Sequence, residues 1–111
     1  MAVQWRELVA GAQLTSALAS IYESANATYT AIHAASINNP TNGVVAVGIH
    51  IVPAGGAVGP ENRVALKNVL AESTGQVPEI VNHKLEPGAR IYAVGEGAFI
   101  TISGATNVPN T

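Results

Sequence analysis

Residues 90–103 read RIYAVGEGAFITIS, and this stretch decides the fold. On both sides of Glu96 and Gly97, large apolar side chains recur at every second position, which is the period of a β-strand. If Glu96 and Gly97 form a two-residue turn, the two strands pair in one register and sort their side chains cleanly. One face then carries the predicted core residues Ile91, Ala93, Ile100 and Ile102, and the other carries Tyr92, Val94, Phe99 and Thr101. We therefore predict a β-hairpin here.

The second face of this hairpin is also apolar, although a hairpin with one solvent-exposed face should carry polar residues on that face. Tyr92, Val94 and Phe99 would together form a patch of the kind that marks a protein interface. The alternative is that the patch packs beneath the N-terminal segment or a second sheet. We treat these three residues as interface candidates.

A second hairpin is predicted between residues 29 and 52. Two apolar runs, residues 29–37 and 44–52, flank the turn-rich cluster NNPTNG at residues 38–43. If Ile37 pairs with Val44, His33 and His50 lie on one small-residue face, about 7–8 Å apart on the diagonal. Both histidines are therefore candidates for a shared site or interface.

Several shorter segments with turn signals between them complete the pattern of six or seven strands. Residues 62–70 and 76–85 read as strands or short irregular segments, and residues 8–22 fit either a helix or an extended arm plus strand, which we favour. The fold class is all-β, an antiparallel β-sandwich of jelly-roll or immunoglobulin-like type with an N-terminal arm. We expect the arm at residues 1–14, the sandwich at 15–105 and a C-terminal tail at 106–111.

The composition limits the classes of partner. The chain has 111 residues, of which 11% are charged, with a net charge of −2 and no cysteine. An ordinary soluble domain carries about 25% charged residues, so we expect neighbouring protein subunits to cover part of this surface. There is no basic cluster for nucleic acid, and the longest apolar run, residues 44–52, is far short of the ~20 residues of a membrane-spanning helix. We expect partners of neither kind.

The sequence offers little for catalysis. Asp and Cys are absent, no Gly-x-Ser-x-Gly motif occurs, and the glycine-rich loop at residues 53–60 lacks the Gly-Lys-Ser or Gly-Lys-Thr ending of a P-loop. Glu79 and His83 have a helical i, i+4 spacing in a segment that reads as loop or strand. We predict that the protein is not an enzyme and holds no metal or cofactor.

Trp5 is the only tryptophan, and it lies in the segment expected to form the arm. One interpretation is that it folds back to cap the core. The other is that it enters a pocket of a neighbouring subunit, where tryptophan is a frequent hot spot. Trp5 joins Tyr92, Val94, Phe99, His33 and His50 as an interface candidate.

Several short motifs resemble those of small virion proteins of tailed bacteriophages, over residues 15–105. An apolar strand ends in the loop VPAGG at residues 52–56, the next strand begins with Asn62 and Arg63, and the turn LEPGARI occupies residues 85–91. The resemblance implies a β-sandwich that decorates or cements the head, is located in the virion after assembly in the host cytoplasm, and binds the major capsid protein and copies of itself. A tail or head-to-tail adaptor and a fibre-head, receptor-binding module remain alternatives.

Overall fold

The protein is built almost entirely of β-strands in the part of the chain that the structure, a computed structural model, describes, residues 2–108. This confirms the predicted all-β class. The two helices in this part are single 3-10 turns, and neither is long and apolar enough to cross a membrane. The strands are β1 (Ala2–Gln13), β2 (Ala19–Glu23), β3 (Tyr29–Asn39), β4 (Val45–Val52), β5 (Arg63–Val69), β6 (Ser73–Gln76), β7 (Lys84–Leu85), β8 (Arg90–Val94) and β9 (Phe99–Val108), with 3-10 turns at Pro60–Asn62 and Pro78–Ile80.

The strands form two antiparallel sheets that pack into a sandwich. The first sheet has the order β1-β9-β3-β6 with β7 also on β3, and the second has the order β2-β8-β4-β5. Since β6 and β7 both pair with β3, they act as one strand interrupted at Pro78. With that pair counted once there are eight strands, and the first pairs with the eighth, the second with the seventh, the third with the sixth and the fourth with the fifth. This nested pairing is a jelly roll.

The predicted hairpin at residues 90–103 is wrong in its pairing, although its turn is in the predicted place. Ala98 N–H donates to the Gly95 carbonyl at 3.1 Å, and Gly97 has φ of 90°. A positive φ at the second central position alone is the pattern of a type II turn, which splays the flanking strands instead of pairing them. Strand β8 therefore enters the second sheet and β9 enters the first.

The predicted sorting of side chains in this stretch is confirmed, because the two strands face each other across the core. Ile91, Ile100 and Ile102 are fully buried, and Ala93 is 1% exposed. Alternation identifies the buried face of a strand whether its neighbour lies beside it or opposite it. Strand β4 contributes Val47 and Ile49 to the same core.

The second predicted hairpin is also wrong in its pairing. Strand β3 lies in the first sheet between β9 and β6, whereas β4 lies in the second sheet between β8 and β5. The connection through residues 40–44 crosses from one sheet to the other. His33 and His50 are consequently on different sheets and do not share a face.

The N-terminal segment belongs to the sandwich and is not a separate arm. Strand β1 pairs with β9 from Ala2 opposite Val108 to Gln13 opposite Phe99, with two irregularities along the way. The expected extended conformation of residues 8–22 is confirmed, since this stretch contains the end of β1 and the start of β2. The expected C-terminal tail is wrong for residues 106–108, which belong to β9; residues 109–111 lie outside the described part.

Asn39 joins the two sheets at one end of the sandwich. Its side chain is fully buried at the end of β3. Nδ2 donates to the carbonyls of Gly43, Val69 and Leu70 at 2.8, 3.0 and 3.2 Å, and Oδ1 accepts from the Thr41 backbone N–H and hydroxyl. A single amide thus ties the crossing loop to the end of β5, and every polar atom of the side chain is satisfied.

Replacing this amide by a carboxylate should strongly destabilise the fold. In Asn39→Asp the carboxylate would face carbonyl oxygens in a buried site, so we expect a loss of about 3 kcal/mol or more of unfolding free energy. The matched control is Asn38→Asp, one residue earlier and exposed, which should change stability by less than about 0.5 kcal/mol. Urea unfolding of both variants measures the difference, and equal stabilities would contradict this role for Asn39.

Candidate interaction surfaces

The six interface candidates divide between the two outer faces of the sandwich. The register places Tyr92 opposite His50 and Val94 opposite Gly48 on the second sheet, whereas Phe99 is paired with Gln13 and Asn38 on the first. The predicted patch of Tyr92, Val94 and Phe99 is therefore not one surface. The outer face of the first sheet carries Trp5, His33 and Phe99, and that of the second carries His50, Tyr92 and Val94.

Trp5 projects outward from a regular part of β1. It lies opposite Ala105 of β9, which lies opposite Ala31 of β3, which in turn lies opposite Lys84 of β7. The indole is 73% exposed, the largest exposure of any large hydrophobic side chain in residues 3–108. It therefore does not cap the core, and it stands at one end of a row whose middle consists of small residues.

His33 is the neighbour of Trp5 on this face. The pairing of β3 with β9 shifts register between Ile32 and Ala34, which leaves His33 unpaired in the ladder, as in a β-bulge. Its imidazole lies against the indole of Trp5, with ring centroids 4.7 Å apart and planes inclined by 40°. This contact holds one side of the indole in place while most of the ring remains open to solvent.

A shallow trough of about 250 Å³ on the same face is lined by Ala105, which lies opposite Trp5, and not by Trp5 itself. Ala31 and Ala105 contribute to its lining together with Val3 and Tyr29, whose side chains are 55% and 48% exposed. Exposed apolar groups around a concave floor are typical of protein-binding surfaces. We refer to Val3, Trp5, Tyr29, Ala31, His33 and Ala105 as the Trp5 surface.

One end of the second sheet's outer face is covered by the chain itself. Arg90 donates to the Tyr92 hydroxyl at 2.9 Å and to the Gly56 carbonyl at 2.6 Å, and its guanidinium lies 5.4 Å from the centre of the Tyr92 ring. These contacts bring the loop after β4 to this end of the sheet. Tyr92, a sequence-based interface candidate, is thus engaged within the chain and half-buried.

His50 lies at the same covered end. It is 9% exposed, stands opposite Arg63 of β5 and Tyr92 of β8, and its Nδ1 is buried without a hydrogen-bond partner among the described residues. Burial, and to a lesser degree the positive charge of Arg63, lowers the pKa of His50 below its ordinary 6.5. The neutral imidazole is therefore the form that fits the folded protein.

This environment predicts a pH dependence of stability. Because the pKa of His50 is lower in the folded than in the unfolded protein, its contribution is full above pH 6.5 and is lost as pH falls from there through the folded pKa. We expect the free energy of unfolding to decrease between about pH 7.5 and 5.5, and His50→Gln to show a smaller decrease. Urea titrations at the two pH values measure this, and identical decreases in both proteins would contradict it.

The other end of this outer face is open and apolar, and it is not among the surfaces predicted from the sequence. Val44, Leu66 and Leu70 are 59%, 55% and 66% exposed. The available signal was the alternation in RVALKNVL at residues 63–70, which puts Leu66 on the face opposite Ala65 and Val69. This alternation does not show which face is exposed unless β5 is known to be the edge strand of a sheet.

The remaining acidic and histidine side chains are spread over the surface. No group of three or more His, Asp or Glu side chains within residues 2–108 could hold a metal ion. Glu79 forms an ion pair with Lys67 of β5, with 2.9 Å between Oε2 and Nζ. The hydrogen bond from Lys67 lowers the pKa of Glu79, so this carboxylate serves as a charged surface contact.

Comparison with known proteins gives one structural likeness. No family model and no curated protein match the chain. The chain is similar to one in the structure described as "Structure of infectious bursal disease virus Gx strain", with 10% sequence identity and a TM-score of 0.43. The match covers 95% of this chain and 31% of the other, so this chain spans less than a third of that protein's length. A likeness of this strength carries no argument about function.

Proposed function

We propose that this protein is a structural component of a virion, a decoration or cement protein that binds the major capsid protein of a tailed bacteriophage head. The observation that carries the proposal is the exposure of Trp5, 73% on a regular strand with the apolar trough on the same face. A tryptophan held in this way is unfavourable in water and favourable in a partner's pocket. The Trp5 surface is the part that contacts the capsid.

Mechanical stabilisation requires a rigid body and repeated contacts. The sandwich supplies the rigid body, since its core is a continuous cluster of buried apolar side chains, most of them isoleucine and valine. Each copy would bridge neighbouring capsid subunits, and burial of apolar surface contributes roughly 25 cal/mol per Å² at every contact. Many copies on one shell act together, so a modest affinity at each site is sufficient.

The low charge of the chain supports the same proposal. Only 11% of residues are charged, and both outer faces expose large apolar side chains. Jelly rolls occur in viral capsid domains and also in lectins. The fold is therefore compatible with a capsid role but does not distinguish it from other roles. The choice between a head, tail or receptor-binding position depends on what the Trp5 surface binds.

Addition of the purified protein to phage heads that lack it tests the proposal. We expect it to co-sediment with the heads and to saturate at on the order of hundreds of copies per particle, as a shell component does. Saturation at on the order of a dozen copies would favour a tail or adaptor ring, and binding to a glycan array without binding to heads would favour a receptor-binding module. Either of these results, or no binding at all, would contradict the decoration proposal.

A further inference from the structure

The open end of the second sheet's outer face forms a second apolar surface, on the side of the sandwich opposite the Trp5 surface. Its centre is the row in which Gly48 of β4 lies between Leu66 of β5 and Val94 of β8. By the alternation of the strands, Ala46 shares this face, and so do Val44 and Leu70 just beyond the strand ends. We refer to Val44, Ala46, Gly48, Leu66, Leu70 and Val94 as the Leu66 surface.

The Leu66 surface has a notch next to raised side chains. A methyl group added at Gly48 would lie 3.4 Å from a Val94 methyl and 4.0 Å from a Leu66 methyl, so the glycine leaves a gap between these two side chains. Leu66 rises beside the gap, and Leu70 lies four residues further along, just beyond the end of β5; both side chains are more than half exposed. A surface that carries both a projection and a recess can fit a second copy of itself.

The charges also suit a contact between identical surfaces. A two-fold axis brings the same residues of both copies together, so any charge near the axis would meet a like charge. None of the six residues of the Leu66 surface is charged. The neighbouring Lys67 is paired with Glu79, and Arg63 lies at the covered end of the face, opposite His50.

The size of the open face is that of a weak dimer. Its residues lie on three strands, β5, β4 and β8, and three strands about 4.8 Å apart with about five residues of ~3.3 Å each give roughly 240 Å² in each copy. Two such faces bury on the order of 500 Å², so we expect a weak and reversible contact. Sheets pack face to face at about 10 Å, so the notch and the raised leucines can interlock.

We propose that the Leu66 surface binds the Leu66 surface of a second copy of this chain, stacking two sandwiches about a two-fold axis. This inference does not rest on the decoration proposal, because it concerns only the purified protein. The Trp5 surfaces of the pair would remain uncovered on the two far sides. One dimer could then engage two partner sites.

Analytical ultracentrifugation of the purified protein tests the proposal with Leu66→Glu. The wild type should dimerise, and the variant should do so at least ~100-fold more weakly, because each dimer loses two buried leucines and gains two like charges. The matched control is Val108→Glu, since Val108 is 48% exposed but lies at the end of β9 in the first sheet; it should dimerise normally. Thermal melting of both variants checks that the fold is retained. A monomeric wild type, or a Leu66→Glu protein that dimerises like the wild type, would overturn the proposal.

Cross-linking provides a second readout that does not depend on removing a leucine. The chain has no cysteine, so Asn68→Cys places a single thiol on the face, opposite Ala46. Paired sheets about 10 Å apart bring the two thiols of a dimer within reach of a short bismaleimide. We expect a covalent dimer from Asn68→Cys and none from Val108→Cys. Equal yields from both would contradict the proposed contact, whatever the protein does with phage heads.

Discussion

Gly104→Ala is expected to abolish the native fold or to cost about 3 kcal/mol or more of stability. Gly104 lies in β9, between Arg6 of β1 and Ile32 of β3, at the bulge that presents His33. A Cβ atom at this position would lie 2.0 Å from the Ala31 carbonyl oxygen and 3.0 Å from a Leu8 methyl. Because the carbonyl is part of the backbone, it cannot move without separating β9 from β3.

The control for this prediction is Gly75→Ala in β6. Its added methyl would meet only Val69 methyl groups at 3.8 and 3.9 Å, which is ordinary contact. We expect a change of less than about 1 kcal/mol, whereas the melting temperature of Gly104→Ala should fall by more than about 10 °C. Circular dichroism melts of the two proteins measure this, and a Gly104→Ala protein as stable as the wild type would mean that the close approach of β9 and β3 is not as described.

Trp5→Ala is expected to remove most of the binding to phage heads while the fold is kept. The indole is 73% exposed and its ring contact is with His33, itself exposed, so its loss should change the free energy of unfolding by less than about 1 kcal/mol. A tryptophan buried at the centre of an interface contributes about 2 kcal/mol or more, which corresponds to a loss of at least ~30-fold in affinity. Co-sedimentation with heads and a urea titration measure the two effects separately.

Two further variants make this prediction specific. Trp5→Phe keeps an aromatic side chain and should retain part of the affinity, and Val108→Ala removes apolar surface outside the Trp5 surface and should bind normally. If Trp5→Ala bound as well as the wild type, the Trp5 surface would not be the capsid contact. If it failed to fold, the indole would have a structural role that its exposure does not indicate.

The buried faces of β8 and β9 could be predicted from the sequence, but the pairing of these strands could not. In residues 90–103 alternation identified Ile91, Ile100 and Ile102 as core, and all three are fully buried. The same alternation fits strands side by side or face to face across a core. The deciding feature was the turn, where a positive φ at Gly97 alone sends β8 and β9 into different sheets.

The candidate surfaces were predictable only in part for the same reason. Trp5 was identified because a lone tryptophan near a terminus is conspicuous, yet its contact with His33 depends on a bulge in β3 that no local signal marks. The predicted proximity of His33 and His50 is wrong, because it depended on a hairpin that does not form. Leu66 was predicted to lie in a strand, but its exposure was not predicted. That exposure follows from the position of β5 at the edge of the second sheet.

A density map of the intact phage particle, detailed enough to place the sandwich, tests most directly the claim that neighbouring protein covers the apolar outer faces. We expect the Trp5 surface to lie against the major capsid protein and the Leu66 surface to lie against another copy of the chain. This expectation would be contradicted by a particle in which the sandwich is absent from the head, or in which Trp5 and Leu66 both face solvent.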